Sequence, residues 1–200
     1  MQNWESLRAA CQQCQQCSLG RTRTHLVFGD GNPAARIMFI GEGPGQQEDL
    51  TGVPFVGPAG QLLDQMLEII DLDRTKYYIT NIVKCRPPHN RDPLREEQEA
   101  CIGYLRAQTR LIYPRIIICL GRIAAGRLIH SDYRITREHG QWVQKGRVWM
   151  TAIYHPSALL RDVSKRPETF DDLIGIREKI RAVCPEVYAG QPAGEPSRES

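Results

Sequence analysis

Apolar positions along the chain alternate between two rhythms. Short apolar runs occupy residues 36–40 (RIMFI), 77–83 (YYITNIV), 115–120 (RIIICL) and 148–154 (VWMTAIY). Their length and their β-branched and aromatic content predict strands, and the unbroken RIIICL run predicts burial on both faces. Helical spacing fills the intervals. Residues 61–70 set Leu62, Leu63, Met66, Leu67 and Ile70 on one face. Residues 94–111 predict a helix with Glu96 and Glu97 at its positive end. Residues 123–129 and 169–183 read as further helices, and residues 4–17 as an N-terminal one ending near Gly20. Residues 133–146 suggest a hairpin region, and the prolines of CRPPHNRDP exclude regular structure. The stretch after GEGPG reads as a polar loop, and the Pro-, Gly-, Ser- and Glu-rich residues 185–200 read as a disordered tail behind a single domain spanning 1–184.

Strands alternating with helices predict an α/β fold with a short, mostly parallel central sheet. Ligands in such folds gather beyond the carboxyl ends of the strands. Three segments follow strands in this way: GEGPG, residues 81–85, and HPSALLR. Their convergence on one edge is the main reason to expect an active site there.

Composition narrows the class. The chain has 200 residues, 41% hydrophobic and 24% charged, the balance of a globular protein. No apolar run approaches the roughly twenty residues that cross a bilayer, and the polar start lacks a secretory signal, so a cytoplasmic protein without a membrane partner is expected. A net charge of +3 is compatible with a polyanion partner without requiring one. Basic residues cluster at Lys84, Arg86, His89 and Arg91, and again at Arg161, Lys165 and Arg166.

Seven cysteines in a chain without an export signal favour metal binding over disulfides. Cys14 and Cys17 form a C-x2-C pair, Cys85 opens the proline loop and Cys101 lies in the following helix. Four thiolates suit either zinc or a cubane iron–sulfur cluster, and spacing does not decide between them. Cys119, inside RIIICL, reads as core, Cys184 as incidental, and Cys11 extends the pair into C-x2-C-x2-C.

The first glycine-rich segment, with Gly41, Glu42, Gly43 and Glu48, continues into GVPFVG, where Phe55 offers a ring for stacking or a core side chain. His155 opens HPSALLR, where it can donate to a developing anion or serve the structure. Ser157 and Arg161 are placed to hold phosphates, and Leu159 with Leu160 reads as a wedge or as core.

Together, GEGPGQQED with GVPFVGPAG, TNIVKCRPPHNRDP, PRIIICLG and YHPSALLR resemble the family 4 uracil-DNA glycosylases over residues 14–161. The resemblance implies a three-layer α/β/α sandwich and a 4Fe-4S cluster on Cys14, Cys17, Cys85 and Cys101. Cys11 falls outside that pattern. It also implies that Phe55 stacks on uracil, Asn81 reads its edge, His155 serves the second motif, and Gly41, Gly43 and their loop flank the base. Glu42 and Glu48 remain alternatives for orienting water, and Lys84, Ser157 and Arg161 are expected on phosphates. The expected activity is flipping of uracil from single- or double-stranded DNA and hydrolysis of its N-glycosidic bond by a monomer. A zinc-bound nucleic-acid module without catalysis and a nucleotide hydrolase are the rival readings.

Overall fold

The computed structural model describes residues 3–189. The first helix, α1 (Trp4–Gln12), begins in a capping box in which the Ser6 N–H donates to Asn3 Oδ1 at 2.8 Å. It buries Leu7 and Cys11 and stops at Gln12, short of the expected Cys17. Beyond Cys11 the Gln-Gln-Cys tract offers no further apolar side chain to that face. The chain turns instead, with the Cys14 N–H on the Cys11 carbonyl at 3.2 Å, before α2 (Leu19–Thr22).

The sheet has six strands: β1 (Asp30–Gly31), β2 (Ile37–Gly41), β3 (Tyr77–Asn81), β4 (Ile116–Leu120), β5 (Val143–Lys145) and β6 (Val148–Ile153). Their spatial order is β1-β3-β2-β4-β6-β5. The inner four run parallel, and the short outer strands pair antiparallel. The four expected strands all form, each within two residues of its expected ends. Side chains alternate across β2: Ile37 and Phe39 enter one core, Met38 and Ile40 the other.

Helices cover both faces. Met66 and Leu67 of α4 (Pro58–Glu68), Leu159 of α8 (Pro156–Arg161) and Leu173 of α9 (Arg166–Val183) pack into the first core. Ile102 and Leu105 of α5 (Arg95–Ile112) and Ala124 of α6 (Arg122–Leu128) pack into the second, and α1 closes a smaller cluster with Leu26 and Phe28. The layered α/β architecture matches the expectation.

Three local expectations change. The supposed polar loop contains a helix, α3 (Gln46–Thr51). The hairpin is confined to β5 and β6, with Lys145 opposite Val148, and residues before it hold the single turn α7 (Ile135–Glu138). The tail starts ordered: Pro185–Tyr188 makes a 3-10 turn, and the Tyr188 hydroxyl donates to the Ile70 carbonyl at 2.9 Å. Residues 190–200, the remainder of the expected disordered tail, lie outside the described residues. Among the described residues no helix is long and apolar enough to cross a membrane.

Candidate active site

A pocket of about 630 Å³ opens beyond the carboxyl ends of the parallel strands. Glu42 and Gly43 follow β2, Asn81 ends β3, Gly121 and Arg122 follow β4, and His155, Ser157 and Arg161 follow β6. The three expected loops therefore meet, and β4 contributes a fourth.

Sheet register sets the pocket's inner wall. Gly41 lies directly opposite Asn81. A Cβ on Gly41 would stand 2.4 Å from Asn81 Oδ1 and 2.6 Å from Phe55 Cζ. The bare glycine thus lets the amide and the ring converge. Asn81 is 1% exposed, and among the described residues its Oδ1 has no hydrogen-bond partner. Leaving such an acceptor unpaired costs about 1–3 kcal/mol, and this one belongs to a residue of the pocket wall.

Phe55 is buried and also lines the pocket, which joins its two expected roles. Its φ of 56° is costly for a bulky residue. Arg74 Nη2 holds its carbonyl at 3.0 Å, while Nη1 reaches the Pro54 carbonyl at 3.3 Å. Asp64 anchors that guanidinium at 3.0 Å. From the other side, the Val56 and Gly57 N–H groups donate to Glu48 Oε1 at 3.0 and 2.8 Å. Glu48 thereby fixes the loop that presents the ring. Glu42 has no such duty, and burial followed by the nearby Asp92 raises its carboxyl above the usual range, against Arg122 and Arg161.

His155 sits 6.0 Å from the Phe55 ring, centroid to centroid. The Ser157 N–H donates to its Nδ1 at 3.2 Å, and Ser157 Oγ lies 2.8 Å from the same nitrogen. Nδ1 accepting a backbone N–H leaves the proton of the neutral ring on Nε2. Burial, helped by Arg161, pushes the imidazole down to about 4, so it is neutral at pH 7. Gly121, at φ 86°, lets the backbone approach: a Cβ there would come within 2.9 Å of His155 Cβ. Ser157 thus orients the histidine. Arg161 is exposed at the rim. Leu159 is core, whereas Leu160 is 44% exposed on the pocket's edge.

Lys84 corrects its expected role. It is fully buried, with Nζ on Thr80 Oγ1 at 2.5 Å and the Asn81 carbonyl at 2.8 Å, so no phosphate can reach it. It lines a second cavity instead, together with Cys11, Cys14, Cys17, Cys85, Cys101 and Arg23. Arg23 Nη1 donates to Cys85 Sγ at 3.2 Å. Burial pushes Lys84 down to about 8, opposed by Cys101, Cys11 and Cys85. Burial likewise pushes the Cys11 thiol up to about 12 and Cys101 to about 11, both opposed by Lys84. Among the described residues no three such side chains converge on a point suited to one metal ion. Cys119 and Cys184 are core residues and do not line this cavity.

Sequence reading missed Arg74, Asp92 and Arg122. Asp92 pairs with Arg122 across the pocket wall. Arg91, noted only as one of a basic cluster, grips Glu97 of α5 at 2.7 and 2.9 Å.

An α/β protein with an orphaned amide, an aromatic ring and a neutral histidine lining a pocket beyond its strand ends can hold a planar polar group. The model of the uracil DNA glycosylase superfamily matches residues 28–175, and the chain belongs to that superfamily. It is 44% identical to a type-4 uracil-DNA glycosylase of Archaeoglobus fulgidus, over 92% of this chain and 94% of that protein. A type-4 uracil-DNA glycosylase of Thermotoga maritima is 45% identical over 76% of this chain and 80% of its own. A type-5 uracil-DNA glycosylase of Pyrobaculum aerophilum is 34% identical over 66% and 65%.

Proposed function

We propose that the protein removes uracil from DNA by hydrolysing its N-glycosidic bond, leaving an abasic site. The observation that carries this reading is the buried, unpartnered Asn81 Oδ1 beside the Phe55 ring. Uracil offers N3–H as a donor and O4 as an acceptor, so one amide satisfies both. Cytosine reverses both groups and would leave two mismatched buried contacts, each costing roughly 1–3 kcal/mol. The nucleotide must first leave the duplex, at an unstacking cost of a few kcal/mol.

In this reading the base stacks on Phe55 between Gly41 and Gly43, and His155 donates its Nε2–H to O2 as negative charge collects there. One such donor typically contributes about 100- to 1000-fold. Glu42 orients the water that attacks C1′, while Glu48 keeps the loop in place. Arg161 holds a DNA phosphate at the rim, and Leu160 fills the space left by the extruded base.

We assign Cys14, Cys17, Cys85 and Cys101 to a 4Fe-4S cluster. The cysteines of the lining suit that group, and the cations Lys84 and Arg23 among them suit an anionic cluster. When bound, the cluster supplies a cross-link between the turn after α1, the proline loop and α5. The same reading takes residues 1–184 as one domain, acting as a monomer where thiols stay reduced, as in the cytoplasm.

The test is incubation with a uracil-containing oligonucleotide, single- and double-stranded, followed by alkaline cleavage. Cleavage at uracil alone is expected. Absence of abasic product, with turnover of free nucleotides, would overturn the assignment.

A further inference from the structure

Five cysteines line a cavity whose cluster needs four. The fifth, Cys11, is 1% exposed and sits in the last turn of α1. Its backbone is tied to the proposed ligand loop: its carbonyl accepts the Cys14 N–H at 3.2 Å and Arg23 Nη1 at 3.4 Å. The same Nη1 donates to Cys85 Sγ. Cys14 lies beyond the end of α1, in the turn that the bond from its N–H to the Cys11 carbonyl closes, three residues on from Cys11.

We infer that Cys11 is a reserve ligand, positioned to take the iron that Cys14 vacates; this rests on the iron–sulfur reading of the cavity. The exchange is a simple substitution. The Cys14 Sγ–Fe bond breaks and a Cys11 Sγ–Fe bond forms, while the proton of the Cys11 thiol passes to the released Cys14 thiolate. No electron changes hands, and the cavity holds four thiolates before and after. The turn between the two residues has only to shift Cys11 toward the cavity it already lines. A purely packing role is the competing explanation, since Cys11 also touches the cluster of Leu7, Leu26 and Phe28.

The proposal is tested by iron and acid-labile sulfide per chain, with the visible charge-transfer absorption, in anaerobically purified full-length protein. Native protein, Cys11→Ala, Cys14→Ala and the Cys11→Ala/Cys14→Ala double variant are compared, with circular dichroism as a check on folding. Native, Cys11→Ala and Cys14→Ala are expected to retain the cluster, and the double variant to lose it. A folded Cys14→Ala as empty as the double variant would overturn the inference. Should Cys14→Ala fail to fold, Cys14→Ser with and without Cys11→Ala repeats the comparison, and equal iron in those two overturns it. Native protein lacking both iron and sulfide would instead refute the iron–sulfur reading itself.

Discussion

Asn81 faces the base pocket and Cys85, four residues further on, lines the cysteine cavity, yet the two regions follow opposite rules. In the pocket, polar capacity exceeds what the protein uses. Among the described residues Asn81 Oδ1 has no partner and His155 makes its hydrogen bonds through Nδ1 alone, while burial holds the acid of Glu42 above its usual range. In the cavity, cations and thiols face each other, and two of the lysine's three donors are spent on Thr80 and the Asn81 carbonyl. At the pocket wall an unspent hydrogen bond marks the place where a ligand comes and goes, whereas the unpartnered Gln108 Oε1 and Thr151 Oγ1 lie buried away from the pocket; spent ones mark scaffold. Lys84 belongs to the second kind although its charge suggested the first.

Substitutions can break or sharpen this contrast. The largest effect is expected from Asn81→Ala, which should lower kcat/KM on uracil-containing DNA about 1000-fold, as loss of paired buried groups implies. The melting temperature should be unchanged or higher, because an orphaned buried acceptor disappears with the amide. A clear fall in melting temperature would place Asn81 with the scaffold.

His155→Ala should cost about 100-fold in kcat, measured by single-turnover release of the base. Its pH signature has a definite sign. The folded-state value is pushed from 6.5 down to about 4, so the unfolded chain takes up the proton first. Stability contributed at neutral pH is therefore lost as pH falls from 6.5 toward 4. Thermal melts of native protein should show this loss, and His155→Ala should show less of it.

A smaller effect separates the two cations. Arg161→Ala should reduce the slope of log affinity against log salt by about 1, the signature of one lost phosphate contact. Lys84→Met should leave the slope unchanged and lower the iron content instead. Filter binding across a salt series, with iron analysis, distinguishes them. The smallest effect is expected from Glu48→Gln, which keeps an acceptor for the Val56 and Gly57 N–H groups. Its activity should fall only about threefold, within the range of one weakened hydrogen bond.

Much of this was legible in the chain, for identifiable reasons. Four inner strands announced themselves because parallel strands buried on both faces must be apolar throughout. The convergence of loops followed from each segment's place directly after a strand. By contrast α3 (QQEDLT) carries almost no apolar stripe, and its place is set by Glu48 holding residues 56 and 57. Arg74 is invisible as a site residue because it acts on backbone carbonyls nineteen and twenty positions earlier. Lys84 was misread from its charge, although the fully apolar Ile82 and Val83 before it, both buried, hinted at a chain still inside the core. The cysteines pointed to metal binding, but that five of them line one cavity emerged only from the turn after Gln12.

The central claim is that the unpartnered Asn81 Oδ1 awaits the N3–H of uracil, and a double-mutant cycle tests it most directly. Release of uracil and of 3-deazauracil, in which C–H replaces N3–H, would be measured from the same oligonucleotide by native protein and by Asn81→Ala. The account predicts that native protein favours uracil about 100-fold more than the variant does, the value of one buried hydrogen bond. An identical preference in both proteins would contradict it.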